Sequence, residues 1–272
     1  MPIYRVDKLI SDFDETISQK DTIQTIVGIA MQNRTANEPP TVEEWKQMAG
    51  WYTSRYSRRC NKWLSVPRDR SQETFTDFLS DIESLDVDSI GRVMKKNFLA
   101  GLRQDQLRKA GSQVQTREGV KECLSEMRSA GVVVEILSAN WSQTFVKEAV
   151  LGFCDSVVAN RLLFDKRGYS TGELKLRVVS AHDKLRHFKF RRSKTGLTGF
   201  VGDSISDLRA ILEADVGILV GDNEICLKTI DHYKIPIKRV SQGVNFQEAR
   251  SMNKQILHAD SWETINRLLK QK

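Results

Sequence analysis

Two zones of the chain alternate short apolar runs with amphipathic segments, and between them lies a zone with helical periodicity. The first run, Lys8–Asp12, is apolar at Leu9 and Ile10 and predicts a short strand. From Thr22 to about Gly111 the pattern is helical. Asp21 with Gln24 predicts a capping box, and Thr41 with Glu44 a second one just past the break at Pro39-Pro40. Trp45, Met48, Ala49, Tyr52, Tyr56 and Trp63 then fall on one helical face. Further helical segments are expected over Thr74–Ile82 and Ile90–Leu107.

After Thr116 the texture changes. A helix over Arg117–Ser129, stopped by Gly131, leads into the apolar run Val132–Leu137, a buried strand. Helix Gln143–Val150 and strand Ser156–Val158 follow. Strand Leu197–Val201 ends at Gly202-Asp203, helix Ser206–Glu213 comes next, and Val216–Val220 and Ile235–Val240 are strands. Asp260 or Ser261 caps a closing helix through Leu269. Strands alternating with helices predict an α/β fold, a doubly wound parallel sheet with helices on both faces. In such sheets the site lies at the carboxyl ends of the strands.

Composition narrows the class. The chain has 272 residues, 40% hydrophobic and 28% charged, enough for a large core. No run approaches the ~18 apolar residues of a membrane span, and the start of the chain has no apolar signal stretch. Cys60, Cys123, Cys154 and Cys226 form no CxxC pair and read as reduced, mostly buried thiols, so a cytoplasmic protein is expected. The net charge of +7 comes largely from Arg55, Arg58, Arg59 and Lys62 and from the 184–194 stretch. Such runs are usually a solvated face, and no homeodomain, zinc-finger or RNA-recognition signature accompanies them. Nucleic acid is therefore not the expected partner. A P-loop is excluded by the lack of GxxxxGK[ST].

The chemistry collects at strand ends. The first strand ends in Asp12-Phe13-Asp14-Glu15-Thr16. A bare DxD is usually surface charge, but here the first Asp ends an apolar strand, where burial is costly without a partner. A divalent cation would hold both carboxylates ionised. Ser138, after Val132–Leu137, is either a helix cap or a phosphate ligand aided by the following amides. Lys184 follows Asp183 at a helix start. Gly202-Asp203-Ser204-Ile205-Ser206-Asp207 is the more specific element: Gly permits close backbone approach, and both acids land in one cleft.

In this order the motifs resemble those of the haloacid dehalogenase superfamily. DFDET at 12–16 is similar to the DxDxT motif of its phosphatases, Leu137-Ser138 to the Ser/Thr motif, Lys184 to the lysine motif and GDSISD at 202–207 to the acidic motif. The resemblance spans residues 8 to about 220. It implies a Rossmann-like core over 1–18 and 112–272, with an all-helical C1-type cap over 19–111 inserted after the first strand. It implies that Asp12 attacks phosphorus and that Asp14 is the general acid/base. Mg²⁺ would then be held by Asp12, the Asp14 carbonyl and Asp203, with Asp207 supporting the metal waters or orienting Lys184. Ser138, Lys184 and the amides of Phe13 and Ala139 would hold the phosphoryl oxygens, and Thr16 would fix the loop and Asp14. The substrate expected is a small phosphomonoester.

Asn140-Trp141-Ser142, Ser170–Leu174, Gly202–Gly217 and Trp262-Glu263 resemble the phosphatase domain of plant thiamine monophosphate phosphatases and their fungal relatives. DFDETI is similar also to phosphocholine/phosphoethanolamine and pyridoxal phosphate phosphatases. Nucleotidases, sugar phosphomutases and a non-catalytic scaffold remain as alternatives, the last opposed by the intact carboxylate set. Tyr52 and Tyr56 stand equally as cap core or pocket wall, where they would stack on a ring or meet a quaternary nitrogen. Trp45 and Trp63 are expected to be cap core. His182 and His187 are expected to lie outside the metal site, which is oxygen-rich and suits Mg²⁺.

Overall fold

A computed structural model describes residues 3–34, 38–65, 71–240 and 255–270. Seven parallel strands form the main sheet: β1 (Lys8–Ser11), β3 (Val133–Leu137), β4 (Ser156–Val158), β7 (Thr198–Gly202), β8 (Val216–Val220), β9 (Ile237–Arg239) and β10 (Ile256–Ala259). Their order is β4-β3-β1-β7-β8-β10-β9. Successive residues of each central strand feed opposite faces. Leu9, Ile136, Val201 and Ile218 enter one apolar cluster, while Ile10, Leu137, Phe200 and Leu219 enter the other. A sheet covered on both faces needs such unbroken apolar runs, which is why these strands read so clearly. The chain runs to one side of β1 for β3 and to the other for β7, making the end of β1 a topological switch point.

Between β1 and β3 come helices α1 (Ile23–Gln32), α2 (Val42–Leu64) and α3 (Gln72–Lys95), strand β2 (Ala100–Arg103) and helix α4 (Gln104–Ser112). The Thr41–Glu44 capping box forms as expected. The one expected at Asp21 does not: Thr22 is the N-cap residue, Asp21 accepts from the Ile23 amide, and Gln24 Oε1 accepts from Trp45 Nε1. The segment Ile90–Leu107 is not one helix either. α3 ends at Lys95, Asn97 turns the chain with φ +54°, and Phe98 and Leu99 are buried ahead of β2.

β2 joins β5 (Arg161–Phe164) and β6 (Tyr169–Lys175) in a small antiparallel sheet of order β2-β6-β5, which the sequence pattern did not predict. β6 does alternate, burying Ser170, Gly172 and Leu174, but only one of these is a large apolar residue, so no hydrophobic period shows. Helix α9 (Glu224–His232) and strand β10 were also not expected.

Other helices sit near their expected places: α5 (Val120–Ser129) before β3, and α6 (Gln143–Ala149), α7 (Ala181–Arg191) and α8 (Leu208–Glu213) after it. A short 3₁₀ turn, Ile205–Asp207, precedes α8. The cysteines are free, three of them buried. No helix among the described residues is long and apolar enough to cross a membrane.

The last described helix, Trp262–Leu269, is capped by Ser261, as expected. Trp262 is fully buried, and its Nε1 donates to the Thr16 carbonyl at 2.9 Å, tying the far end of the chain to the loop after β1. Trp262→Ala is expected to cost about 3–5 kcal/mol in urea unfolding through the cavity it leaves. A loss below about 1 kcal/mol would show that this helix does not support the loop.

Candidate active site

Ser11 is paired with Ile136 on one side and with Val201 on the other. Asp12, Ser138 and Asp203 come one or two residues beyond those pairs, so sheet register alone gathers them at one edge. Lys184, in the first turn of α7, reaches the same point. Its Nζ lies 2.9 Å from Asp12 Oδ1 and 2.6 Å from Asp207 Oδ1. All three side chains are buried, as is Asp203. Asp207 was expected to support metal waters or to orient Lys184, and it contacts Lys184. Its other oxygen accepts from the Ser204 amide at 3.2 Å and the Ser204 hydroxyl at 2.9 Å. Asp207 lies directly over Gly202, where an added Cβ would overlap the carboxyl group.

Asp12, Asp203 and Asp207 each offer a carboxylate oxygen, all within 4.8 Å of one another. One ammonium cannot neutralise three carboxylates. Burial pushes the Asp12 carboxyl well above its ordinary range; Lys184 opposes this, and Asp207 and Asp203 add to it. Burial and Asp207 push Asp203 up to about 7, against a hydrogen bond from Thr16 and the charge of Lys184. Burial alone would lower Lys184, but Asp12 and Asp207 outweigh it, and its ammonium is held above the usual range. The donor set is hard oxygen with an excess of negative charge, and it fits Mg²⁺. Neither His182 nor His187 belongs to it: His182 Nδ1 is 2.6 Å from Glu83 Oε2, and His187 Nε2 is 3.1 Å from the Arg177 carbonyl.

Asp14 has other partners. Its Oδ1 accepts from the Thr22 amide (2.9 Å) and hydroxyl (2.6 Å), and its Oδ2 accepts from Asn140 Nδ2 at 2.9 Å. Asn140 Nδ2 also donates to the Thr22 hydroxyl at 2.9 Å. Burial and the neighbouring Asp21 raise the Asp14 carboxyl, and the bonds from Thr22 and Asn140 oppose the shift. Neither Thr22 nor Asn140 was singled out as a site residue from the sequence. Asn140 stood out only within the Asn140-Trp141-Ser142 stretch that carries the family resemblance.

Thr16 was expected to fix Asp14; instead its fully buried Oγ1 donates to Asp203 Oδ1 at 2.8 Å. The Phe13 ring is buried against Phe145, so this residue contributes no side chain to the cavity. Ser138 lines the cavity, its Oγ accepting from the Asn140 amide at 3.0 Å, and Ala139 lines it beside Ser138.

Asp12, Asp14, Ser138, Ala139, Asn140, Lys184 and Asp203 form the floor of a cavity of about 470 Å³. Its opposite wall comes from two helical stripes: Trp45, Met48, Tyr52 and Tyr56 of α2, and Ile82, Glu83, Asp86, Ser89, Ile90 and Val93 of α3. Both tyrosines therefore belong to the wall. Trp45 also lines it, packed edge-on against Phe98 and Trp141, so its expected role as pure core is corrected. Trp63 is core, against Phe78 and with its Nε1 on Asp81.

Comparison with known proteins agrees with this architecture. The chain is 23% identical over 265 residues to the bifunctional TH2 protein, mitochondrial, of Arabidopsis thaliana, with 87% of this chain and 43% of that protein covered. It is 26% identical over 254 residues to cold tolerance protein 1 of Saccharomyces cerevisiae, with 78% of each covered. This chain thus spans under half the length of the plant relative. Among solved structures, a substrate-bound phosphoserine phosphatase superposes with a TM-score of 0.54 at 19% identity, covering 82% of this chain and 90% of that one. A phospho-aspartyl intermediate analogue of phosphoserine phosphatase gives 0.53 at 20% identity, covering 83% and 91%. These likenesses concern the fold. The haloacid dehalogenase-like hydrolase profile matches residues 9–211, from β1 into α8, and so takes in every residue of the acidic floor. The chain belongs to the haloacid dehalogenase-like hydrolase family and is an enzyme of that family.

Proposed function

We propose that the protein is a Mg²⁺-dependent phosphatase that hydrolyses a small phosphomonoester through an aspartyl-phosphate on Asp12, with thiamine monophosphate the first substrate to test. The observation that carries this reading is the buried Asp12 at the end of β1, with Lys184 on one of its oxygens and Asp203 close by.

In the first step an Asp12 carboxylate oxygen attacks phosphorus and the bond to the leaving alcohol oxygen breaks. Asp14 delivers its proton to that oxygen, a role suited to a carboxyl that burial has raised. In the second step Asp14 takes a proton from water, the water oxygen bonds to phosphorus, and the Asp12–phosphorus bond breaks. Ser138, Lys184 and the amides of Phe13 and Ala139 receive the phosphoryl oxygens. Mg²⁺, held by Asp12, Asp203 and the Asp14 carbonyl, supplies positive charge for the phosphoryl group and the carboxylates. Asp207 acts on Lys184, and Thr16 on Asp203. Thr22 and Asn140 position Asp14.

Residues 19–111 are read as the cap and 1–18 with 112–272 as the core. The pairing of α2 with α3 over the cavity supports the cap reading most directly. β2 pairs with β6, and Gly111 of α4 lies against the Phe145 backbone, which ties the last part of the insertion to the core. The free cysteines suit a reducing compartment such as the cytoplasm.

Phosphate release with Mg²⁺ is expected from at least one of thiamine monophosphate, phosphocholine, pyridoxal phosphate, nucleoside monophosphates and sugar phosphates. Asp12→Asn or EDTA should lower it about a thousandfold or more. Undiminished turnover by Asp12→Asn would sink the reading. Asn140→Ala should lower kcat about tenfold or more with little change in KM, because it frees the acid/base rather than the substrate. A change confined to KM would place Asn140 on the substrate instead.

Metal and pH are linked. The carboxyls of Asp12, Asp14 and Asp203 are raised in the folded protein above the unfolded value near 4. Without metal the unfolded chain ionises first, so the stability that these carboxyls contribute is lost as pH rises above about 4, for Asp203 through about 7. Mg²⁺ binds the ionised form and offsets this loss. The urea midpoint difference between Mg²⁺ and EDTA should therefore widen from pH 5 to pH 8, a comparison in which groups remote from the metal cancel. A gap that stays constant or narrows would contradict the metal assignment.

A further inference from the structure

The cavity that must accept a phosphate dianion is lined with acids well beyond those that act on phosphorus. Glu15, Asp21, Glu83 and Asp86 line it in addition to Asp12, Asp14 and Asp203. Among the described residues the one Lys or Arg in its lining is Lys184, already shared by Asp12 and Asp207. A metal on the floor offsets charge near phosphorus, but the wall on the far side stays negative. Such a wall repels a leaving alcohol that is itself anionic and attracts one that is cationic.

The four extra acids are not equivalent. Glu83 is engaged by His182, Asp21 accepts from the Ile23 amide, and Glu15 is exposed at the loop. Asp86 sits mid-helix in α3 among Ile82, Ser89 and Ile90 of the same stripe. Its Oδ1 accepts from the Tyr52 hydroxyl at 2.7 Å, and no ion pair among the described residues includes it. The nearby Arg59 is instead paired with Asp81 at 3.2 Å. Burial raises the Asp86 carboxyl to about 7, opposed by the Tyr52 hydrogen bond and by Arg59 and reinforced by Glu83, as befits a carboxylate with no adjacent counter-ion. Beside it stand two rings of α2: Tyr52, which donates to it, and Tyr56, whose ring is 5.9 Å from that of Tyr52. A carboxylate beside aromatic faces is an arrangement that receives an ammonium or a cationic heteroaromatic ring.

We propose that Asp86, held by Tyr52, is the specificity-determining residue that receives a positively charged group on the alcohol side of the phosphomonoester. It rests on the phosphatase reading above and adds the substrate feature that the cap helices select. Tyr52 fixes the carboxylate, and the Tyr56 ring, one turn along α2 from Tyr52, stands beside the cation.

The test uses two esters matched in shape and differing in charge, phosphocholine and its carbon isostere 3,3-dimethylbutyl phosphate. The wild-type protein should favour phosphocholine about tenfold or more in kcat/KM. Asp86→Asn should collapse that ratio towards one, through KM for the cationic ester. Tyr52→Phe, which keeps the ring and removes the hydroxyl, should reduce the ratio in part. Asp88→Asn removes the same charge from the exposed face of α3, where Asp88 pairs with Arg92, and should leave the ratio as in wild type. Thermal unfolding of each variant reports on folding, and a misfolded Asp86→Asn leaves Tyr52→Phe to decide. Equal kcat/KM for both esters in wild type, or a preference that survives both cavity substitutions, overturns the assignment of Asp86 while the phosphatase reading stands. Hydrolysis of neither ester, nor of 4-nitrophenyl phosphate, overturns both.

Discussion

One ammonium group, Lys184 Nζ, is buried between the carboxylates of Asp12 and Asp207, and the arrangement of the site follows from that contact. A buried charge must be paired or it destabilises the fold by several kcal/mol. Here the pairing is incomplete, because Asp203 brings a third carboxylate to the same point. The surplus charge raises the acids and makes a hard cation the natural complement. It also explains two local choices of residue. Gly202 leaves the space that the Asp207 carboxyl fills, and Thr16 gives its hydroxyl to Asp203.

The loop after β1 is held from several sides, as a preorganised site requires. Glu15 adopts φ +56°, its carbonyl accepts from Arg117 Nε, and the Thr16 carbonyl accepts from Trp262. Asp14 is fixed by Thr22 and Asn140, so Asp12 and Asp14 sit in separate hydrogen-bonded environments. One carboxyl faces Lys184 and the other faces neutral donors. That difference suits two neighbouring aspartates to two different tasks in a phosphatase.

The central strands were legible because a parallel sheet buried on both faces demands apolar runs; Val216–Val220 matches its predicted bounds, as does the edge strand Ser156–Val158. The residues at their ends were legible for the same reason: a charge closing an apolar strand stands out. The antiparallel sheet was not, since β6 buries serine and glycine where a hydrophobic period would need larger side chains. The break after Lys95 escaped because Phe98 and Leu99 continue an apolar pattern that the backbone does not. Within the site, Thr22 looked like part of a helix start and Thr16 like a partner for Asp14. Neither contact follows from spacing; both depend on how the loop folds back. Asp86 carries no local signal at all, and only the packing of α3 over the cavity reveals it.

Acid-quenched turnover of a phosphate-labelled ester, followed by peptide mapping, tests the central claim most directly. A hydroxylamine-labile phosphoryl label on the peptide carrying Asp12, absent from Asp12→Asn, is the predicted result. Turnover with no covalent label, or with the label on another residue, would contradict it.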